Sequence, residues 1–146
     1  MIQPSHQQWG RRQDIHRLTP FLWIALGALP GAWARYLVNL AAARWIGTTF
    51  PYGTLLVNAA GCVLVGVAGT MVTGRLVARP EVVHLVMIVG FLGSLTTFSS
   101  FAYETHLLLT GGAVMRAIAN VALSLAAGLA GVRLGVLLTP KLAGLL

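Results

Sequence analysis

Four apolar runs set the limits on what this chain can fold into. Residues 21–43, 53–73, 82–110 and 113–138 each meet or approach the length of about 20 mostly apolar residues that crosses a hydrocarbon core. In lipid every backbone N–H and C=O has to find its partner within the protein, so each run reads as a helix. The predicted fold class is all-α integral membrane, with residues 19–146 as a four-helix transmembrane domain behind a polar, basic tail at residues 1–18. Composition agrees: 57% of residues are apolar and 9% charged, against about 25% charged in a soluble domain. Four short spans enclose little interior, so a pore in such a chain predicts a partner copy.

The net charge of +7 would suggest nucleic acid in a soluble protein. Here the basic residues flank the apolar runs, where arginine meets lipid headgroups and sets orientation. The expected partner is therefore the bilayer, with no nucleic acid. With the N-terminus inside, Arg11, Arg12, Arg17, Arg75, Arg79 and Lys141 fall on the cytoplasmic side, and Arg44 and Arg116 outside. Without the three tail arginines the count is nearly even, which leaves room for insertion in both directions. Arg11-Arg12 followed by an apolar run is also the pattern of a secretory or twin-arginine signal. Against it, apolar sequence resumes after Arg35 and runs to Ala43, as a full span does. The lone Cys62 excludes an intrachain disulfide framework.

Small residues recur where helices would touch: Gly27 and Gly31 in the first span, Gly61, Gly66 and Gly69 in the second, Gly131 and Gly135 in the fourth. They predict a tight bundle, since close backbone approach replaces the missing hydrophobic drive in lipid.

Polar groups inside the spans are the anomalies. Arg35 lies about 12 Å before the end of its run at 1.5 Å per residue, where insertion scales charge at most about 2.5–3.5 kcal/mol. It either snorkels or pairs with a carboxylate such as Glu104, or it supplies an attracting charge at an anion vestibule. Asn58, with Thr54 one turn earlier on the same face, is either glue between helices or an amide donor for a dehydrated anion. Asn120 and Ser124 repeat the i, i+4 stripe in the fourth span.

The third run contains GFLGSLTTFSSFAYET, Gly90 to Thr105. Gly90, Gly93 and the hydroxyl cluster weaken a helix there, and the run is longer than one crossing requires. It predicts two half-helices with an unwound joint over residues 93–97. Irregular backbone at that depth is tolerated where it is buried or lines a cavity, and freed carbonyls at such joints bind cations. Phe98 and Phe101, three apart, share a helical face. They either pack or present positive ring edges to an anion.

Together these residues resemble the CrcB/Fluc family of fluoride channels, through GALPGAWARY at Gly27 to Tyr36, PYGTLLVNAAG at Pro51 to Gly61 and GFLGSLTTFSSFAYE at Gly90 to Glu104. Ser94 stands where a second glycine is common in the family, and Asn120 where a tyrosine or similar polar group is expected. The resemblance implies an antiparallel, dual-topology homodimer in a bacterial-type plasma membrane, with two fluoride pores and a structural sodium ion at its centre. It implies pore roles for Asn58, Phe98, Phe101 and Ser124; Thr54 and Asn120 are expected in the fluoride pore from the two polar stripes. Arg35 would sit at the vestibule, Glu104 near the outer end of the path, and the carbonyls of Gly93 and Thr96 would hold the sodium. The implied activity is passive export of fluoride.

A small multidrug exporter also has four spans, but that group depends on a carboxylate in its first helix, and here the first span carries Arg35 and no Asp or Glu. A membrane enzyme would need a clustered acid, base or metal site. The chain has three acidic residues, with Asp14 and Glu81 outside the spans, and His84 and His106 have no metal-ligand spacing. The expectation is a channel and not an enzyme.

Overall fold

A computed structural model describes residues 6–143, with side chains described for residues 18–140. The side chains of Arg11, Arg12, Arg17 and Lys141, on which the orientation count leans, lie outside that range. The described residues form α1 (His6–Trp45), α2 (Tyr52–Thr73), α3 (Pro80–Val83), a π-helical segment (His84–Leu92), α4 (Gly93–Leu95), α5 (Phe98–Thr110) and α6 (Val114–Ala143). Four stretches are long and apolar enough to span a membrane: Leu18–Trp45, Tyr52–Thr73, Pro80–Thr110 and Val114–Pro140. The chain is thus a multi-pass membrane protein, and every predicted run lies within one helix or helix stack except for Ala113, which precedes α6. α1 also continues ahead of its apolar part, back to His6.

Two glycine seams hold the bundle. α1 lies against the π-helical segment, where a Cβ at Gly27 would overlap the carbonyl oxygen of Val86 and one at Gly31 the carbonyl of Phe91. From the other side, a Cβ at Gly90 would come within 3.0 Å of the Gly27 Cα. α2 runs parallel to α6 and meets it the same way: a Cβ at Gly135 would overlap the Val63 carbonyl and lie 3.0 Å from the Gly66 Cα. Gly131 faces Ala59, Cys62 and Val63. Such contact brings backbones close enough for dispersion to act over the whole seam, which is the available drive between helices in lipid. Gly69 does not belong to a seam, since a Cβ there would meet nothing within 4 Å.

The buried core is small: Val57, Leu92 and Leu95, with Ala34, Val38, Val65 and Phe91 packed around them. Large apolar side chains such as Phe21, Trp33 and Leu129 face outward, as lipid allows. That core is centred on α2 and the first half of the third span, just before the break.

Candidate functional site

The joint in the third span is real and shorter than its sequence suggested. Gly93–Leu95 remain helical, and the extended residues are Thr96 (φ −85°, ψ 156°) and Thr97 (φ −154°, ψ 115°). The hydroxyls account for this economy. Thr96 Oγ1 donates to the Leu92 carbonyl at 2.9 Å and closes the incoming helix. Thr97 Oγ1 accepts from the Ser100 amide at 3.2 Å and caps α5, as an N-cap side chain does.

Asn58 completes the joint from α2. Its Oδ1 accepts from the Thr97 amide at 2.8 Å, and its Nδ2 donates to the Thr97 carbonyl at 3.1 Å. One side-chain amide therefore satisfies both backbone groups of an extended residue, which a bilayer could not hydrate. Asn58 thus bridges the second and third spans. A primary amide has two N–H groups, so one remains free of this clasp.

The clasp has a consequence for the carbonyls before it. In an unbroken helix the Gly93 carbonyl would accept from the Thr97 amide and the Thr96 carbonyl from the Ser100 amide. Those two donors go instead to Asn58 Oδ1 and Thr97 Oγ1. Gly93 is exposed on the single chain and Thr96 half-buried. The donor set left there is neutral backbone oxygen, the chemistry a hard monovalent cation takes. Among the described residues there is no group of three or more His, Cys, Asp or Glu side chains able to hold a metal.

A groove of about 400 Å³ opens beside the joint, and Asn58, Gly93, Thr96, Phe98, Phe101 and Ser124 all line it. The rings of Phe98 and Phe101 stand 5.5 Å apart, tilted by 47°. Phe98 is 79% exposed on the single chain, so the groove is open at that ring. Residues from the second, third and fourth spans meet here, and no charged side chain lines the groove.

Other expected site residues lie apart from it. Thr54 is buried and donates to Glu104 Oε1 at 2.7 Å. Glu104 Oε2 is buried with no hydrogen-bond partner, and the carboxylate borders a second cavity of about 310 Å³ with Asn39, Thr48, Thr49 and Tyr52. Asn120 is 1% exposed, with Nδ2 donating to Thr105 Oγ1 at 2.9 Å. It ties α6 to α5 and is not part of the groove lining. Arg35 is half-buried and lines neither cavity. Its pairing with Glu104 is not realised, because Thr54 holds one carboxylate oxygen and the other is unpartnered.

Sequence reading missed Asn39, whose Nδ2 donates to the Arg35 carbonyl at 2.9 Å and which stacks against Gly53. It also missed the Arg116 bond to the Thr49 carbonyl at 2.9 Å, which anchors α6 to the loop before α2. An intramembrane asparagine is the signal that could have found the first; nothing local announces the second.

The chain is similar to known proteins. Residues 22–136 match the family described as CrcB-like protein, Camphor Resistance (CrcB). The fluoride-specific ion channel FluC of Solibacter usitatus is 44% identical over 121 residues, covering 83% of this chain and 98% of the relative. That of Chloroflexus aurantiacus is 44% identical over 115 residues, 79% of this chain and 90% of the relative. FluC 2 of Bradyrhizobium diazoefficiens is 40% identical over 129 residues, 87% and 93% of the two chains. Since the match runs through all four spans, both glycine seams and the broken third helix, the chain belongs to the CrcB family.

Proposed function

We propose that this chain is a fluoride-selective passive channel, working as an antiparallel homodimer with two pores and a central sodium ion. The observation that carries the reading is the groove itself: Asn58, Phe98, Phe101 and Ser124 converge beside the broken helix with no charge among them. Its relatives' names supply the ion.

Fluoride is small and tightly hydrated, so it enters a narrow path where donors replace its water, and it leaves where none of them binds too firmly. The free N–H of Asn58, the Ser124 hydroxyl and the ring edges of the two phenylalanines are donors of that moderate kind. An arginine in the groove would trap the ion. Fluoride enters a cell as the neutral acid and dissociates in a more alkaline cytoplasm. A passive path then suffices for export, because a negative-inside potential is worth about 2.3 kcal/mol per charge per 100 mV.

The exposure of Phe98 on the single chain supports the dimer. A second copy laid antiparallel would cover Phe98 and bring the freed carbonyls of Gly93 and Thr96 toward their equivalents. Those carbonyls would hold the sodium, which supplies positive charge that joins the two breaks. The near-even core charge suits insertion in both orientations. Arg35 and Glu104 would act at the ends of the path and not within it. On this reading the protein sits in the plasma membrane and relieves fluoride toxicity by export.

Fluoride efflux from proteoliposomes tests the proposal, read with a fluoride electrode beside a chloride control. Rapid fluoride release without chloride release is the expected result. Equal flux of the two ions, or none from folded protein, defeats it. Thiol labelling of cysteines placed at both termini tests the dual topology, and labelling from one side alone would overturn that part.

A further inference from the structure

Arg133 lies inside the fourth span and lines neither cavity. It precedes Ala143, the end of α6, by ten residues, about 15 Å at the helical rise. Its depth can also be read against α2. Gly131 faces Ala59, Cys62 and Val63, and Gly135 faces Val63, Gly66 and Val67, so Arg133 stands level with the middle of Tyr52–Thr73.

Its direction follows from the same seam. Arg133 is two residues from both Gly131 and Gly135, and at about 100° per residue that turns it to the side of α6 opposite α2. Arg133 is exposed, and its neighbours on that side, Leu129 and Leu137, are 75% and 52% exposed. No hydrogen bond or ion pair holds it among the described residues. Of the two carboxylates in the third span, Glu104 is engaged by Thr54 and Glu81 lies at its first turn, exposed.

We infer that Arg133 is a binding site for the phosphate of an anionic lipid, drawn in along the outer face of α6 from the leaflet at that helix's C-terminal end. A guanidinium in hydrocarbon is stabilised by snorkelling toward headgroups and by a phosphate that comes to meet it. Its planar fork matches phosphate oxygens two at a time. The same end of the bundle carries Arg75 and Arg79, both exposed in the turn after α2, and α2 runs parallel to α6. Against the one exposed carboxylate at that end among the described residues, Glu81, the two arginines leave a net positive charge, which favours an anionic headgroup over a zwitterionic one. The inference stands whether or not the chain conducts fluoride.

Native mass spectrometry of the full chain, with phosphatidylglycerol or phosphatidylcholine added, tests it. Wild type should retain phosphatidylglycerol, and Arg133→Leu should weaken that binding about tenfold, the size of one charge-assisted bond, with phosphatidylcholine unchanged. Arg133→Lys should keep part of the binding. Leucine suits an apolar helix face, and Arg133→Gln gives the same reading if the leucine variant does not purify. Equal phosphatidylglycerol binding in wild type and the uncharged variants would overturn the inference. So would release of the adduct by inorganic phosphate, which assigns the site to a soluble anion. A lower oligomeric mass in the leucine variant would place Arg133 between copies and overturn it as well.

Discussion

Replacing Asn58 by aspartate separates two roles that one side chain combines. The variant keeps the acceptor for the Thr97 amide, 2.8 Å away, but puts a carboxylate oxygen where Nδ2 donated to the Thr97 carbonyl at 3.1 Å. Loss of that donor leaves a carbonyl unsatisfied, a change worth about 1–3 kcal/mol in stability. The effect on conduction should be larger. A fluoride passing about 4 Å from the new charge meets about 4 kcal/mol of repulsion at an effective dielectric of about 20. At about 1.36 kcal/mol per tenfold, flux should fall about a thousandfold. Asn58→Ala is the control, since it loses the whole clasp and adds no charge. It should destabilise at least as much as aspartate while slowing fluoride less. Efflux from proteoliposomes measures conduction, and thermal unfolding with size-exclusion measures the fold. Near-wild-type flux in a folded Asn58→Asp protein would remove Asn58 from the ion's path. Alanine slowing flux as much as aspartate would show that the clasp, and not charge, limits passage.

Three further outcomes follow from the geometry. Thr54→Val leaves Glu104 with no hydrogen bond in place of the one at 2.7 Å; we expect a loss of about 1–3 kcal/mol, read by thermal denaturation and restored by Thr54→Ser. Gly135→Leu pushes α6 off the Val63 carbonyl and should prevent a monodisperse protein, whereas Gly69→Ala, where a Cβ meets nothing within 4 Å, should be silent. Exchanging all sodium for a large organic cation should dissociate the dimer and abolish flux; full activity after exchange would remove the carbonyls of Gly93 and Thr96 from any cation site.

The spans, the glycine seams and the existence of the break were legible in the chain, because each follows from a local rule. An apolar run must be helical in lipid, glycine at helical spacing marks close approach, and hydroxyls beside glycine weaken a helix. Gly69 shows the limit of such rules: it has the spacing and no neighbour, because which face meets another helix depends on how the whole bundle is assembled.

What the tertiary structure decided was the pairing of polar groups. Periodicity put Asn58 with Thr54 and Asn120 with Ser124 in matching stripes. Folding sent Thr54 to Glu104, Asn120 to Thr105 and Asn58 to the backbone of Thr97, leaving Ser124 with Asn58 in the groove. A polar side chain in lipid bonds to whichever donor or acceptor the packing of apolar neighbours brings within reach, and that partner lies 39 residues away for Asn58 and 50 for Thr54. The sequence alone determined that the chain spans a membrane with a broken third helix and intramembrane donors. Only the assembled bundle determined that Asn58 holds the break together and takes the Thr97 amide away from the Gly93 carbonyl.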